Sequence, residues 1–211
     1  MASAPQPQST VKMSKQALRS TLKKTLAALP ASAIAAQSAS VARHVAALPE
    51  YAAARRIALY MSMDAEAQTA PVIHQAFADG KRVFLPRCES AAVPGRKRNH
   101  LRMLEVPSEA AVSQLQPQGK YQLREPLSGA EGLDEGLDLI VVPGVAFSAA
   151  KARLGHGAGF YDEFFSVYQA RHGRLPFLVG VGLEPQLVDN VPTEAHDVPL
   201  DAVIVGDAVF R

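Results

Sequence analysis

The chain of 211 residues has a single cysteine, Cys88, so no internal disulfide can form, and the residue reads as a small side chain at the core's edge rather than a nucleophile. No cluster of Cys or His has the spacing of a metal site. No apolar run approaches the roughly 20 residues that a bilayer-spanning helix needs, and the first dozen residues lack the apolar core of a secretory signal. Net charge is only +2, too little to predict attraction to nucleic acid or to a membrane surface. The one dense basic run, Arg96-Lys97-Arg98 after Pro94-Gly95, has no repeated aromatics beside it on which bases could stack, and reads as a solvated surface turn. These absences leave a protein of one-domain length with 48% hydrophobic residues, expected in the cytoplasm. A mitochondrial location stays open, because a start rich in Ser, Ala and Gln is compatible with an import signal.

What is present is organised around residues 138–168. Leu139-Ile-Val-Val142 reads as a strand buried on both faces and closed by Pro143-Gly144. Beyond it Gly155, Gly157 and Gly159 alternate, and then Tyr161, Phe164, Phe165 and Tyr168 fall at i, i+3, i+4 and i+7, the spacing of one helical face. The order is strand, glycine-rich loop, helix. Ligands of open α/β sheets sit outside the carboxyl ends of the strands, where a helix N-terminus offers unpaired N–H groups to an anion, so a phosphate is the natural occupant. Phe160 holds the sixth position of what would be a dinucleotide fingerprint, and no Gly-Lys-Ser/Thr follows, so the loop is neither that motif nor a P-loop. Alternating glycines still let backbone approach a ligand closely, Arg153 and His156 supply donors, and Asp162 can hold a divalent cation against phosphate oxygens.

Around this centre the elements can be placed in order. Residues 1–13 are expected to be a disordered tail, and Ser14 to cap a helix over residues 14–29. Leu18, Leu22, Leu26 and Leu29 form that helix's apolar stripe, while Lys15 and Arg19 share another face. A second helix spans residues 33–48 and stops at Pro49. A first core strand at 56–61, a helix at 68–78 and a strand at 82–85 make a strand–helix–strand unit, with Arg87 at its rim as an anion contact or an ordinary surface arginine. In the loop between them Glu66 either accepts hydrogen bonds from a ligand or caps the helix that follows. Residues 100–106 read as a strand with Met103 facing a pocket or the core, and 108–136 as irregular chain in which Tyr121 and Glu125 are ligand contacts or loop anchors. A buried strand at 177–182 and an edge strand at 202–205 follow. His196 and Asp197 are adjacent on an extended segment and point to opposite faces, which argues against a coupled dyad. The alternation predicts an α/β fold: a single three-layer domain over residues 14–211 with a mainly parallel sheet and helices on both faces.

Val142-Pro-Gly-x-x-Phe147 followed by Arg153-Leu-Gly-His-Gly-Ala-Gly-Phe-Tyr-Asp162 resembles the signature of the 5-formyltetrahydrofolate cyclo-ligases, also called 5,10-methenyltetrahydrofolate synthetases, and the resemblance runs from about Ser14 to Val205. It implies an ATP- and Mg2+-dependent enzyme that converts 5-formyltetrahydrofolate, with or without a polyglutamate tail, to 5,10-methenyltetrahydrofolate through a phosphorylated formyl group, working as a monomer without nucleic acid or membrane. Carried over by position, it assigns ATP to Lys15, Arg19, Arg153, Leu154, Gly155, His156, Gly157, Ala158, Gly159, Phe160, Tyr161 and Asp162. It assigns the folate to Met61, Glu66, Tyr121, Glu125 and Tyr161, the metal to Asp162, and catalysis to Arg153 and Tyr161. This chain departs from the pattern at Ser148, where Asp is usual, at Lys151, where Gly is usual, at Ala158, where Gly or Lys is usual, and at Phe160, where Tyr is usual. Lys151 is a candidate to replace the lysine that the loop lacks at Ala158. A non-catalytic nucleotide or folate binder, and a sugar-phosphate isomerase or CoA-transferase-like enzyme, are the alternative readings.

Overall fold

A computed structural model describes residues 7–63, 65–118, 122–195 and 197–211, with side chains from Lys15 onward. The chain opens with three helices, α1 (Pro7–Ala27), α2 (Ala31–Ala46) and α3 (Pro49–Ala53), then β1 (Arg56–Ala58), α4 (Ala70–Ala78), β2 (Arg82–Ser90) and β3 (Asn99–Val106). Short elements follow: α5 (Glu109–Ser113), β4 (Pro117–Gln118), β5 (Leu123–Arg124) and α6 (Gly132–Glu135). The last third holds β6 (Leu139–Val142), β7 (Ala146–Phe147), β8 (Arg153–Leu154), α7 (Phe160–His172), β9 (Phe177–Gly182), a 3-10 turn at Glu184–Gln186, β10 (Ala202–Val205) and β11 (Ala208–Phe210).

Seven of these strands form one sheet in the order β11-β10-β9-β6-β1-β2-β3. The five inner strands run parallel, and only the outer pairs β2–β3 and β10–β11 are antiparallel. β6 lies at the middle and is buried at all four positions, as its unbroken aliphatic sequence requires. Its residues alternate between two cores: Leu139 and Val141 face the layer of α2 and α4, with Val45, Leu59, Ile73 and Leu85, while Ile140 and Val142 face α7, with Phe147, Phe164, Phe165 and Tyr168. The Tyr168 hydroxyl donates to the Leu137 carbonyl at 3.1 Å and accepts from the Leu137 N–H at 2.6 Å, pinning α7 to the entry of β6. The fold is thus three-layer α/β, as expected. Among the described residues no single helix is long and apolar enough to cross a membrane.

Several boundaries differ from expectation. α1 begins at Pro7, so residues 7–13 are helical and Ser14 lies inside the helix instead of capping it; nothing from Gln8 to Ser14 breaks a helix, and proline is well suited to a first helical turn. Pro49 likewise opens α3. β2 continues through Pro86 to Ser90, because β1 pairs with it only as far as Phe84. Beyond that point β2 has a free edge, where a residue without an N–H is tolerated. Arg87 therefore lies within the β2–β3 hairpin, not on the loop rim, and its Nη1 donates to the Pro126 carbonyl at 3.1 Å. β10 is not an edge, since β11 pairs outside it. Met103 is fully buried in the α7-side core. Cys88 is exposed on the hairpin, not at the core's edge.

Candidate functional site

After β6 the chain turns at Pro143-Gly144 and makes the small β7–β8 hairpin, whose second strand delivers Arg153 and the glycine loop to the start of α7. The turn of that hairpin places Lys151 at φ +66°, the left-handed region that favours glycine. Its carbonyl accepts from the Leu200 N–H at 3.1 Å, so the turn is also tied to the loop ahead of β10.

Arg153 is buried. Its Nη2 donates to Asp162 Oδ1 at 2.8 Å, its Nη1 to the Pro143 carbonyl at 3.4 Å, and its guanidinium lies 5.7 Å from the centre of the Tyr161 ring. Two buried polar atoms here, Arg153 Nε and the Tyr161 hydroxyl, have no hydrogen-bond partner among the described residues. Buried donors of this kind are costly unless something pairs with them. Burial pushes the Tyr161 hydroxyl well above the ordinary tyrosine range; Glu66 and Cys88 add to this and Arg153 opposes it without cancelling it. The group is therefore an O–H donor at neutral pH.

Each alternating glycine faces a cation. A β-carbon on Gly155 would lie 3.0 Å from Arg153 Nη1, one on Gly157 3.5 Å from Arg19 Cζ, and one on Gly159 4.0 Å from Lys97 Nζ. Gly157 and Gly159 also have φ of +103° and +70°, which L side chains rarely adopt. Arg19 reaches the loop from α1 and its Nε donates to the Gly155 carbonyl at 2.8 Å. Gly159 caps α7 without any side-chain hydrogen bond. Glycine spacing, a helix start and converging cations together make a cradle that can hold an anion.

Lys15 lies on the same helix as Arg19, and its buried ammonium is paired with Asp197 Oδ2 at 2.7 Å and Glu194 Oε2 at 3.4 Å. Asp197 also accepts from the Glu194 N–H at 2.7 Å, while His196 lies outside the described residues. Glu66 is buried and does not cap α4; its Oε2 accepts from the Met63 N–H at 2.9 Å and its Oε1 lies 3.2 Å from His156 Nε2. A folate candidate and a glycine-loop candidate, 90 residues apart, thus meet. Met61 packs against the core on the α2–α4 side. Glu125 accepts from the Cys88 N–H at 3.0 Å and so anchors its loop to β2, whereas Tyr121 lies outside the described residues. The Cys88 thiol is pushed up to about 12 by desolvation and then by the neighbouring Glu125 carboxylate. For a metal, no group of three His, Cys, Asp or Glu side chains comes together among the described residues, so the protein's contribution would be Asp162, already held by Arg153.

Sequence reading missed what the basic run does. The Arg96 side chain is buried, with Nε and Nη2 on the two oxygens of Glu163 at 2.7 and 2.9 Å and Nη2 also on the Leu101 carbonyl at 2.7 Å. Burial alone would raise the Glu163 carboxyl, but the bonds from Arg96 outweigh it and hold the group below the usual range. A signal was present: Phe160 and Val167, three before and four after Glu163, both pack on the α7-side core, so Glu163 had to be covered and to find a cation.

A mainly parallel α/β sheet whose central strand leads into a cation-lined glycine loop and a helix start defines the class of protein: one suited to a phosphate-bearing ligand. The chain belongs to the 5-formyltetrahydrofolate cyclo-ligase family, whose sequence profile matches residues 11–206, and so to the ligases. It is 43% identical over 202 residues to the 5-formyltetrahydrofolate cyclo-ligase of Saccharomyces cerevisiae, covering 92% of this chain and 95% of that one. The Mus musculus protein of the same name is 30% identical over 203 residues, covering 94% and 97%. The solution structure of Aquifex aeolicus 5,10-methenyltetrahydrofolate synthetase superposes with a TM-score of 0.73 at 26% identity, over 93% of this chain and 92% of that chain.

Proposed function

We propose that this protein converts 5-formyltetrahydrofolate to 5,10-methenyltetrahydrofolate with hydrolysis of ATP to ADP and phosphate, as one domain over residues 14–211 acting as a cytoplasmic monomer. The observation that carries the reading is the meeting of Glu66 with His156 beside the glycine loop, which sets a carboxylate suited to ring N–H groups next to a cradle suited to phosphates. The family membership supports the same reaction. A relative from Arabidopsis thaliana is named as mitochondrial, so compartment is a matter for localisation of the tagged protein.

ATP supplies the phosphoryl group and Mg2+ the counter-charge. A formamide carbon is a poor electrophile, and its oxygen leaves badly. Phosphorylation of the formyl oxygen makes an imidate phosphate; N10 then attacks the formyl carbon, the C–O bond breaks, phosphate departs, and N10 gives up its proton. Such transfers ask the protein chiefly for positioning and charge neutralisation. Arg153 would do both: Asp162 fixes the guanidinium, and the unpaired Nε remains for a ligand oxygen. Tyr161, protonated and unpaired, would donate to the folate side. Gly155 to Gly159 would cradle the phosphates, with Arg19 facing Gly157, and Asp162 would share the metal with them. Lys15 would act through the Asp197 pairing that holds α1 in place.

Purified protein given Mg-ATP and 5-formyltetrahydrofolate should develop the absorbance of methenyltetrahydrofolate with one ADP per ring closed. ATP consumption without ring closure, or neither, defeats the reading; binding of both ligands without turnover would identify a non-catalytic binder.

A further inference from the structure

The geometry points to Lys97, on the hairpin between β2 and β3, as a phosphate-binding residue of this site, with the buried Arg96–Glu163 pair as the device that positions it. The inference rests on the proposed ATP-dependent reaction and adds a residue that neither motif nor spacing marks.

Three observations converge. The Lys97 ammonium stands over Gly159, where a β-carbon would lie 4.0 Å from Nζ, and Gly159 caps the thirteen-residue helix α7 with no side chain bonded to the helix end. In the same loop Arg153, itself nine-tenths buried, carries an Nε that no group among the described residues satisfies, and a β-carbon at Gly155 would touch the same guanidinium at 3.0 Å. Lys97 is exposed and makes no ion pair among the described residues. Asp162 already answers the Arg153 charge at Nη2, which leaves the Arg153 Nε donor and the Lys97 ammonium at the helix start for an anion, and a chain of phosphates can meet the cations along the alternating glycines.

The position of Lys97 is fixed from beneath. Arg96 grips both oxygens of Glu163 in the first turn of α7, the Lys97 N–H points to Glu163 Oε1 at 3.4 Å, and the Lys97 carbonyl lies 2.9 Å from His100 Nδ1. The hairpin tip therefore cannot swing away from the helix start without breaking a buried ion pair. Only the side chain of Lys97 is free to close on a ligand.

The test is calorimetric titration of the full-length protein with Mg-ATP and, separately, with inorganic tripolyphosphate, alongside KM values for both substrates. Lys97→Ala should weaken both ligands about ten-fold and raise the KM for ATP alike, leave the KM for 5-formyltetrahydrofolate within about two-fold, and be largely restored by Lys97→Arg. Arg98→Ala, which removes a neighbouring exposed charge, should change neither by more than about two-fold. If Lys97→Ala binds both ligands as the parent does, or if Arg98→Ala loses as much, the assignment is overturned while the cyclisation reaction stands. If the parent binds tripolyphosphate in a Lys97-dependent way yet closes no folate ring, the contact stands and the proposed reaction falls.

Discussion

Arg96→Ala strips the partner from a carboxylate as buried as the arginine, with 5% of the Glu163 side chain and 6% of the Arg96 side chain exposed. A surface pair of the same geometry would be worth about 0–1 kcal/mol. Removing one partner of a buried pair instead typically costs about 3–5 kcal/mol, because the remaining charge stays desolvated. For a domain whose whole stability is of order 5–15 kcal/mol this is a large fraction, and the corresponding fall in Tm is roughly 6–20 °C. The loss has a definite pH dependence. In the parent, Glu163 is held below its unfolded value, so its contribution is present above the unfolded pKa and disappears as pH falls through the folded one. In the variant the Lys97 N–H and His100 still favour the charged form, but the bonds from Arg96 that outweighed burial are gone, so Glu163 rises and the penalty grows as pH rises above the unfolded carboxylate range. Urea denaturation at pH 7.5 and at about pH 4.5 should therefore show a gap between parent and variant that narrows in acid. Arg96→Met combined with Glu163→Leu should recover most of the loss at pH 7.5, since neither charge then remains. A gap under about 1 kcal/mol at pH 7.5, or one that is the same at both pH values, would refute the account of Glu163 as a buried charge that depends on Arg96.

Arg153→Ala should lower kcat by about 10²-fold or more with a smaller change in folate binding, measured by steady-state kinetics; an unchanged kcat would remove Arg153 from the reaction. Lys151→Gly should raise stability by about 0.5–1 kcal/mol in urea unfolding, because the turn holds this residue at φ +66°, and a loss of stability would show that the lysine side chain has a role in that turn. Cys88, exposed but with its thiol pushed up by desolvation and by the neighbouring Glu125 carboxylate, should react with a thiol-specific reagent at pH 8 more slowly than a free thiol, and Glu125→Gln should speed it; modification of the parent as fast as a free thiol would contradict the assigned environment.

Sequence pattern carried the centre of this fold and lost its margins, for one physical reason. Leu139 to Val142 and the Tyr161–Tyr168 stripe are encoded locally, by a run that only a doubly covered strand can bury and by the period of a helix. Where β2 ends depends on where β1 stops pairing with it, so Pro86, a breaker in most settings, is accommodated at a free edge that no local pattern announces. β11 and the early start of α1 were lost in the same way. The site divides along the same line. The glycine loop is contiguous and could be read directly, and Glu66, assigned by resemblance, does come to lie against His156. Lys97 could not be found, because its role depends on a hairpin folding back to α7 through a pair 67 residues apart.

The three cations that face the glycines come from three distant parts of the chain: Arg19 from the first helix, Lys97 from an outer hairpin, and Arg153 from the loop's own strand. The first helix is held to the rest by Leu22 against Val145, Ala146, Leu154 and Val191, by Leu26 against Ile34, Ala67 and Leu183, by the Arg19 bond to the loop, and by the Lys15 pair. An anion seated among the cations would act as a rivet that fastens helix, hairpin and loop to one another through a shared counter-charge. Nucleotide occupancy and the docking of the chain's opening segment would then be two descriptions of one equilibrium, with each phosphate ligand bound only as firmly as the three separate strands of chain can be brought to it.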